Sequence, residues 1–158
     1  MPIMKNEKIN MDARILQYNL HYGFMENPMM FNFEYNPHRL ICLFGCGGNR
    51  SKERRFEMGE VSGRLADLTI ITSDNPRFED PQAIMDDIKI GISKTDGKHI
   101  DILDRKEAIK YAIQHGEPGD IIVLAGKGHE DYQEIKGVKY PMDERVLIAE
   151  VLEELKDK

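Results

Sequence analysis

Hydrophobic residues along this chain come in short unbroken runs. Four of them, LICLFG from Leu40, LTIITS from Leu68, HIDILD from His99 and DIIVLAG from Asp120, are separated by segments with a helical period. An amphipathic segment runs from about Arg54 to Ala66. DPQAIMDDIKIGISK places Ile84, Ile88 and Ile92 on one helical face behind Asp80 as N-cap. RKEAIKYAIQHG has Gly116 as its stop, and DERVLIAEVLEELKDK forms a last helix capped by Asp143. Continuous apolar runs predict parallel strands buried on both faces, here near residues 40–45, 68–73, 99–103 and 120–125. Their alternation with helices predicts an α/β fold: an open, mostly parallel, Rossmann-like sheet with right-handed crossovers and helices on both faces. In YQEIKGVKY, Gly137 marks a turn between two extended stretches, which predicts an antiparallel edge strand there.

Residues 1–38 break this rhythm. GFMENPMMFNFEYNPHRL is rich in Met, Asn and aromatic residues, and Pro28 and Pro37 interrupt it. A short helix is expected around Asp12 to Leu20. The chain therefore divides into an N-terminal extension, 1–38, and an α/β domain, 39–158.

Composition narrows the function classes. With 41% hydrophobic and 32% charged residues, 158 residues suffice for one domain with a sizeable core. A net charge of -6 leaves no basic footprint for sequence-independent nucleic-acid binding. No stretch approaches the ~20 apolar residues of a membrane span, and MPIMKNEKIN lacks the apolar centre of a signal peptide. A cytoplasmic protein is expected. Cys42 and Cys46 lie too far apart along extended chain for a disulfide and lack a second pair for zinc, so both are expected as reduced thiols.

Candidate chemistry gathers where the strands end, since open parallel sheets bind ligands outside their carboxyl edges. The first run ends in GCGGNR, the second in SDNPR and the fourth in AGKGHED. FGCGGNRSK is neither a Walker A loop nor a G-x-G-x-x-G fingerprint, and alone it is a strand-to-helix turn. His129 alone is best taken as a hydrogen-bonded loop histidine, because no third metal ligand or H-E-x-x-H accompanies it. Together the loops say more. Arg50 and Arg77 are two forks able to hold a carboxylate, and Glu130 is an acceptor for an ammonium. A pocket for an amino-acid zwitterion follows.

FGCGGNR, MGEVSGRLAD, ITSDNPRFEDP and LAGKGHEDYQ, in this order and spacing, resemble the C-terminal domain of the Mur ligases over about residues 40–155. The resemblance is strongest to the UDP-N-acetylmuramoyl-tripeptide synthetases. It implies that Arg50, Asp74, Asn75, Pro76, Arg77, Gly126 and Glu130 form the binding site for meso-diaminopimelate, with Asp74 and Pro76 shaping the loop. Lys127 and His129 would lie near a nucleotide. It also implies peptidoglycan-precursor synthesis by ATP-dependent amide formation. No Gly-Lys-Ser/Thr loop is present, so ATP and Mg²⁺ are implied for a complete ligase and no cofactor for this chain alone. The expected partners are the diamino acid and, in trans, UDP-binding and ATPase domains, with neither nucleic acid nor membrane. The chain is expected to catalyse nothing by itself. The alternative is a stand-alone module that binds diaminopimelate or a muropeptide.

Overall fold

Side chains alternate between the two faces of a strand, and along Leu40–Phe44 both sets are apolar. Leu40, Cys42 and Phe44 pack with Met58, Ile84 and Ile88 on one face, while Ile41 and Leu43 pack with Ile109, Ile113, Leu147 and Ile148 on the other. Such a strand can rest only in the middle of a sheet covered twice. The computed structural model describes residues 5–9, 13–18, 38–127 and 130–156. Its strands are β1 (Lys5–Ile9), β2 (Ala13–Tyr18), β3 (Leu40–Phe44), β4 (Leu68–Ile71), β5 (His99–Asp101), β6 (Ile121–Ala125), β7 (Tyr132–Ile135) and β8 (Val138–Pro141). Its helices are α1 (Lys52–Leu65), α2 (Pro81–Ile92), α3 (Arg105–Gln114) and α4 (Glu144–Lys156).

The main sheet has the order β1-β2-β6-β3-β4-β5, parallel throughout except for the β1–β2 pair. α1 and α2 cover one face, and α3 and α4 the other. α1 and α2 meet at Gly59 and Gly91. A Cβ on Gly59 would strike the Ile88 carbonyl oxygen, and one on Gly91 the Phe56 carbonyl oxygen, so only glycine permits this backbone approach. Helix starts follow the sequence signals. Asp80 accepts from Gln82 N at 2.9 Å, and Asp104 from Glu107 N at 3.0 Å. Asp143 accepts from Arg145 N at 2.9 Å at the head of α4.

The four predicted parallel strands are all present, but the N-terminal expectations are corrected. The helix expected at Asp12 to Leu20 is instead β2, paired in parallel with β6 from Arg14↔Ile121 to Tyr18↔Ala125. A strand wins because β6 has an open flank to fill. β1 and β2 thus belong to the same sheet as β3 to β6. YQEIKGVKY is also different from expected. β7 and β8 form a separate antiparallel hairpin, not an edge of the main sheet. Lys136 and Gly137, with φ of 50° and 79°, both take the left-handed conformation that a two-residue hairpin turn demands.

Candidate functional site

From β3 the chain runs outward through β4 and β5, then crosses back to place β6 on the opposite side of β3. The loops leaving β3 and β6 therefore diverge, and a crevice opens between them at the carboxyl edge. The loop after β4 closes one side of it.

That loop, Asp74-Asn75-Pro76-Arg77, is bound on two flanks. On one, Gly48 N donates to Asn75 O at 2.7 Å. Any Cβ on Gly48 would collide with the Pro76 carbonyl, so this glycine is required by the close approach. On the other flank lies the β7–β8 hairpin. Arg77 N donates to Glu134 O at 3.1 Å, Lys136 N to Arg77 O at 2.7 Å, and Gln133 Nε2 to Asp74 O at 2.7 Å. Arg77 itself has a φ of 53°. A left-handed arginine is uncommon and is held only when its surroundings over-determine it.

The crevice is a cavity of about 440 Å³ whose lining includes Arg50, Arg54, Asp74, Asn75, Arg77 and Glu130. Seven of the expected site residues meet there: Arg50, Asp74, Asn75, Arg77, Gly126, Lys127 and Glu130. Pro76 stands behind the wall, its carbonyl against Gly48. Gly126 turns the chain out of β6 with a φ of 109°, a conformation that favours glycine. His129 lies outside the described residues. Arg50 is exposed and has no hydrogen-bond or ion-pair partner among the described residues. Arg77 gives one N–H to Gly48 O at 3.0 Å and holds Nε 3.6 Å from Glu134, which leaves N–H groups of its fork over for a ligand. Arg54 and Ser51, at the start of α1, add a third guanidinium and a helix N-terminus, both suited to an anion. Glu130 supplies the opposite charge, 3.3 Å from Asn75 Nδ2.

Lys127 sits at the floor with its side chain fully buried. Its ammonium lies 3.0 Å from Asp74 Oδ1 and donates to Asn75 Oδ1 at 3.0 Å and to Tyr132 O at 2.7 Å. Glu130 Oε2 lies 3.6 Å from the same ammonium, so Lys127 is set among two carboxylates, an amide oxygen and a carbonyl.

Three contributors, Arg55, Arg105 and Arg54, are not among the site residues expected from the sequence. Arg55 is buried and links the glycine loop to its neighbours, donating to Gly47 O at 3.2 Å, Glu79 at 2.9 Å and Asp87 at 3.0 Å. The Arg55 guanidinium, with the Asn49 N–H, holds the Glu79 carboxyl below the usual carboxylate range. Arg105 lies under the crevice, paired to Glu144 at 3.1 Å and donating to Ser73 O and Ala125 O where β4 and β6 end. Arg54 has a legible signal, since it falls in the first turn of a helix that begins at the site. Burial pushes the Cys42 and Cys46 thiols up to about 12, and both are free.

The family model described as "Mur ligase, glutamate ligase domain" matches residues 13–128. UDP-N-acetylmuramoyl-L-alanyl-D-glutamate--2,6-diaminopimelate ligase of Cytophaga hutchinsonii is 50% identical over 118 residues, which are 74% of this chain and 24% of that protein. The ligase of the same name from Aquifex aeolicus is 48% identical over 128 residues, 81% of this chain and 26% of that protein. A solved structure of a 2,6-diaminopimelate ligase superposes with a TM-score of 0.86 at 33% identity, covering 97% of this chain and 31% of that one. The chain spans about a quarter of the length of the curated relatives it matches.

Proposed function

The chain belongs to the Mur ligase family, in the part its model describes as the glutamate ligase domain, and from that premise we propose that its cavity binds the incoming diamino acid, meso-diaminopimelate. One observation carries the reading: three guanidinium groups and two carboxylates face a single cavity of about 440 Å³ at the switch point of the sheet. That charge pattern suits a molecule with separate carboxylate and ammonium groups. Arg77, with Asn75 beside it, takes the distal carboxylate, and Glu130 takes the distal ammonium. Arg50 and Arg54, near the N-terminus of α1, supply positive potential at the mouth.

In this reading the domain holds the attacking amine for amide formation in peptidoglycan-precursor synthesis, in the cytoplasm. The remaining three quarters of such a ligase would bring the UDP-linked acceptor, ATP and Mg²⁺. Among the described residues, no helix is long and apolar enough to cross a membrane. The chain's own residues bind and orient the amine, and turnover by this chain alone is not expected.

Titration of the protein with meso-diaminopimelate and with lysine, by calorimetry or NMR, tests the reading. A charge-assisted hydrogen bond contributes roughly 1.5–3 kcal/mol, so Arg77→Ala should weaken diaminopimelate binding roughly tenfold to a hundredfold. Lysine lacks the distal carboxylate and should bind worse. Equal affinity for the two amino acids, or an unchanged affinity in Arg77→Ala, overturns the assignment.

A further inference from the structure

A carboxamide can face a pocket in two ways, oxygen first or nitrogen first, and the two recognise opposite ligands. At Asn75 the surroundings decide between them. Oδ1 accepts from Lys127 Nζ at 3.0 Å and from the backbone N–H of Glu134 at 2.9 Å. Both partners are donors only. Turning the amide over would set its NH₂ group against an ammonium and an N–H, replacing two hydrogen bonds with two donor–donor contacts. Nδ2 is therefore directed to the other side, where Glu130 Oε2 lies at 3.3 Å and the cavity opens.

The Glu134 N–H is a neutral donor, whereas the Lys127 ammonium is a charged one, and charge-assisted hydrogen bonds are roughly twice as strong. Lys127 makes the arrangement firm. Its side chain is fully buried, it donates to Tyr132 O at 2.7 Å, and Asp74 Oδ1 and Glu130 Oε2 stand as counter-charges 3.0 and 3.6 Å from Nζ. It cannot swing away without leaving a charge buried and unpaired, which is expensive. We propose that Lys127 is a positioning residue that locks the Asn75 amide nitrogen-first, so that this wall of the cavity offers N–H groups to a ligand carboxylate. The proposal rests on the reading that the cavity takes an amino acid with a distal carboxylate, and it adds the device that makes that wall selective.

The test has a ligand-free arm and a ligand arm. In uniformly ¹⁵N,¹³C-labelled full chain, the hydrogen bond from Glu134 N to Asn75 Oδ1 should give a through-bond scalar coupling between Glu134 ¹⁵N and Asn75 ¹³Cγ. Lys127→Met, checked for folding by circular dichroism, should lose that coupling. Its absence from the native protein, or its survival in Lys127→Met, overturns the proposal whether or not diaminopimelate binds. In the ligand arm, Lys127→Met should weaken diaminopimelate binding at least tenfold and leave lysine binding within twofold. A merely structural role would lower both together, and that outcome overturns the proposal too. Should Lys127→Met fail to fold, Asn75→Asp keeps an oxygen for Lys127 and Glu134 N but turns an acceptor to the cavity. It should lose diaminopimelate binding at least tenfold, and native affinity in this variant refutes the orientation argument. Failure of the native chain to bind either amino acid would count against the proposed function alone, since the coupling reads the amide without ligand.

Discussion

Removing Arg105 should be the most damaging single change beneath the site. It occupies the first position of α3, where a cation is opposed by the helix dipole, so its place there is explained by tertiary contacts. Arg105 and Glu144 are both fully buried, 3.1 Å apart. Burial pulls the Arg105 pKa down, but Glu144, and then Asp74, more than offset that pull and leave it raised. Arg105→Met would strand the Glu144 carboxylate in the core and release the carbonyls of Ser73 and Ala125. Breaking a buried pair from one side costs about 3–5 kcal/mol. At roughly 2–4 °C per kcal/mol for a chain of this size, the melting temperature should fall by roughly 6–20 °C. Arg105→Met with Glu144→Met removes both charges, and one Glu144 oxygen already has no hydrogen-bond partner among the described residues. The double variant should recover most of the loss, to within about 1–2 kcal/mol of the native protein. Urea unfolding of the four proteins in the cycle, with m-values compared, measures the coupling. A single-variant loss below about 1 kcal/mol, or a double variant as unstable as the sum of the singles, would refute the buried-pair account.

Three further outcomes follow from the site's surroundings. Gly48→Ala drives a methyl into the Pro76 carbonyl, so it should displace the Asp74–Arg77 loop and weaken diaminopimelate binding by about tenfold or more, while circular dichroism still shows a folded chain. Glu79 has its carboxyl held below its ordinary value of 4.5. It therefore contributes stability that is present above that value and is lost as pH falls through the lowered folded pKa. Glu79→Gln should flatten the acid side of a stability-versus-pH curve and leave its slope near neutrality unchanged. A native acid limb in that variant would remove Glu79 from the account. Cys42 and Cys46 are buried, with thiols pushed up to about 12, so an alkylating reagent at pH 8 should label neither until the protein is unfolded in urea. Rapid labelling of Cys46 in the native state would show that the crevice floor opens.

The fold was legible wherever a residue's role is set by its neighbours in sequence. LICLF and IIVLA declare doubly buried strands by carrying no polar face, and Asp80 declares its helix by its own hydrogen bond to Gln82 N. Roles set at long range were hidden. ARILQY has no pattern that excludes a helix, and it is a strand because β6 offers it a flank. Arg55 and Arg105 look like solvated helix residues, yet their partners lie 24 to 39 positions away at Glu79, Asp87 and Glu144. Of the site, the loop residues around the cavity were found because glycine, Asn-Pro and Arg are conspicuous where an apolar run ends. Lys127 was equally conspicuous, but its inward aim depends on Asn75, 52 positions earlier, and on Tyr132 O.

The parallel pairing of β2 with β6 has a practical consequence for anyone trimming this chain. β6 is IIVLA, five uncharged residues, and β3 covers only one of its flanks. A version starting at residue 38 would turn β6 into an outer strand with free N–H and C=O groups along its length, flat and strongly β-prone. Such an edge is a template for another copy. The shortened protein would be expected to self-associate and fall out of solution even though every residue lining the crevice had been kept. Lysine substitutions along β6 would not help, because both its faces are needed inside. The β1–β2 pair is therefore a solubility guard as much as a part of the sheet, and expression trials should keep it.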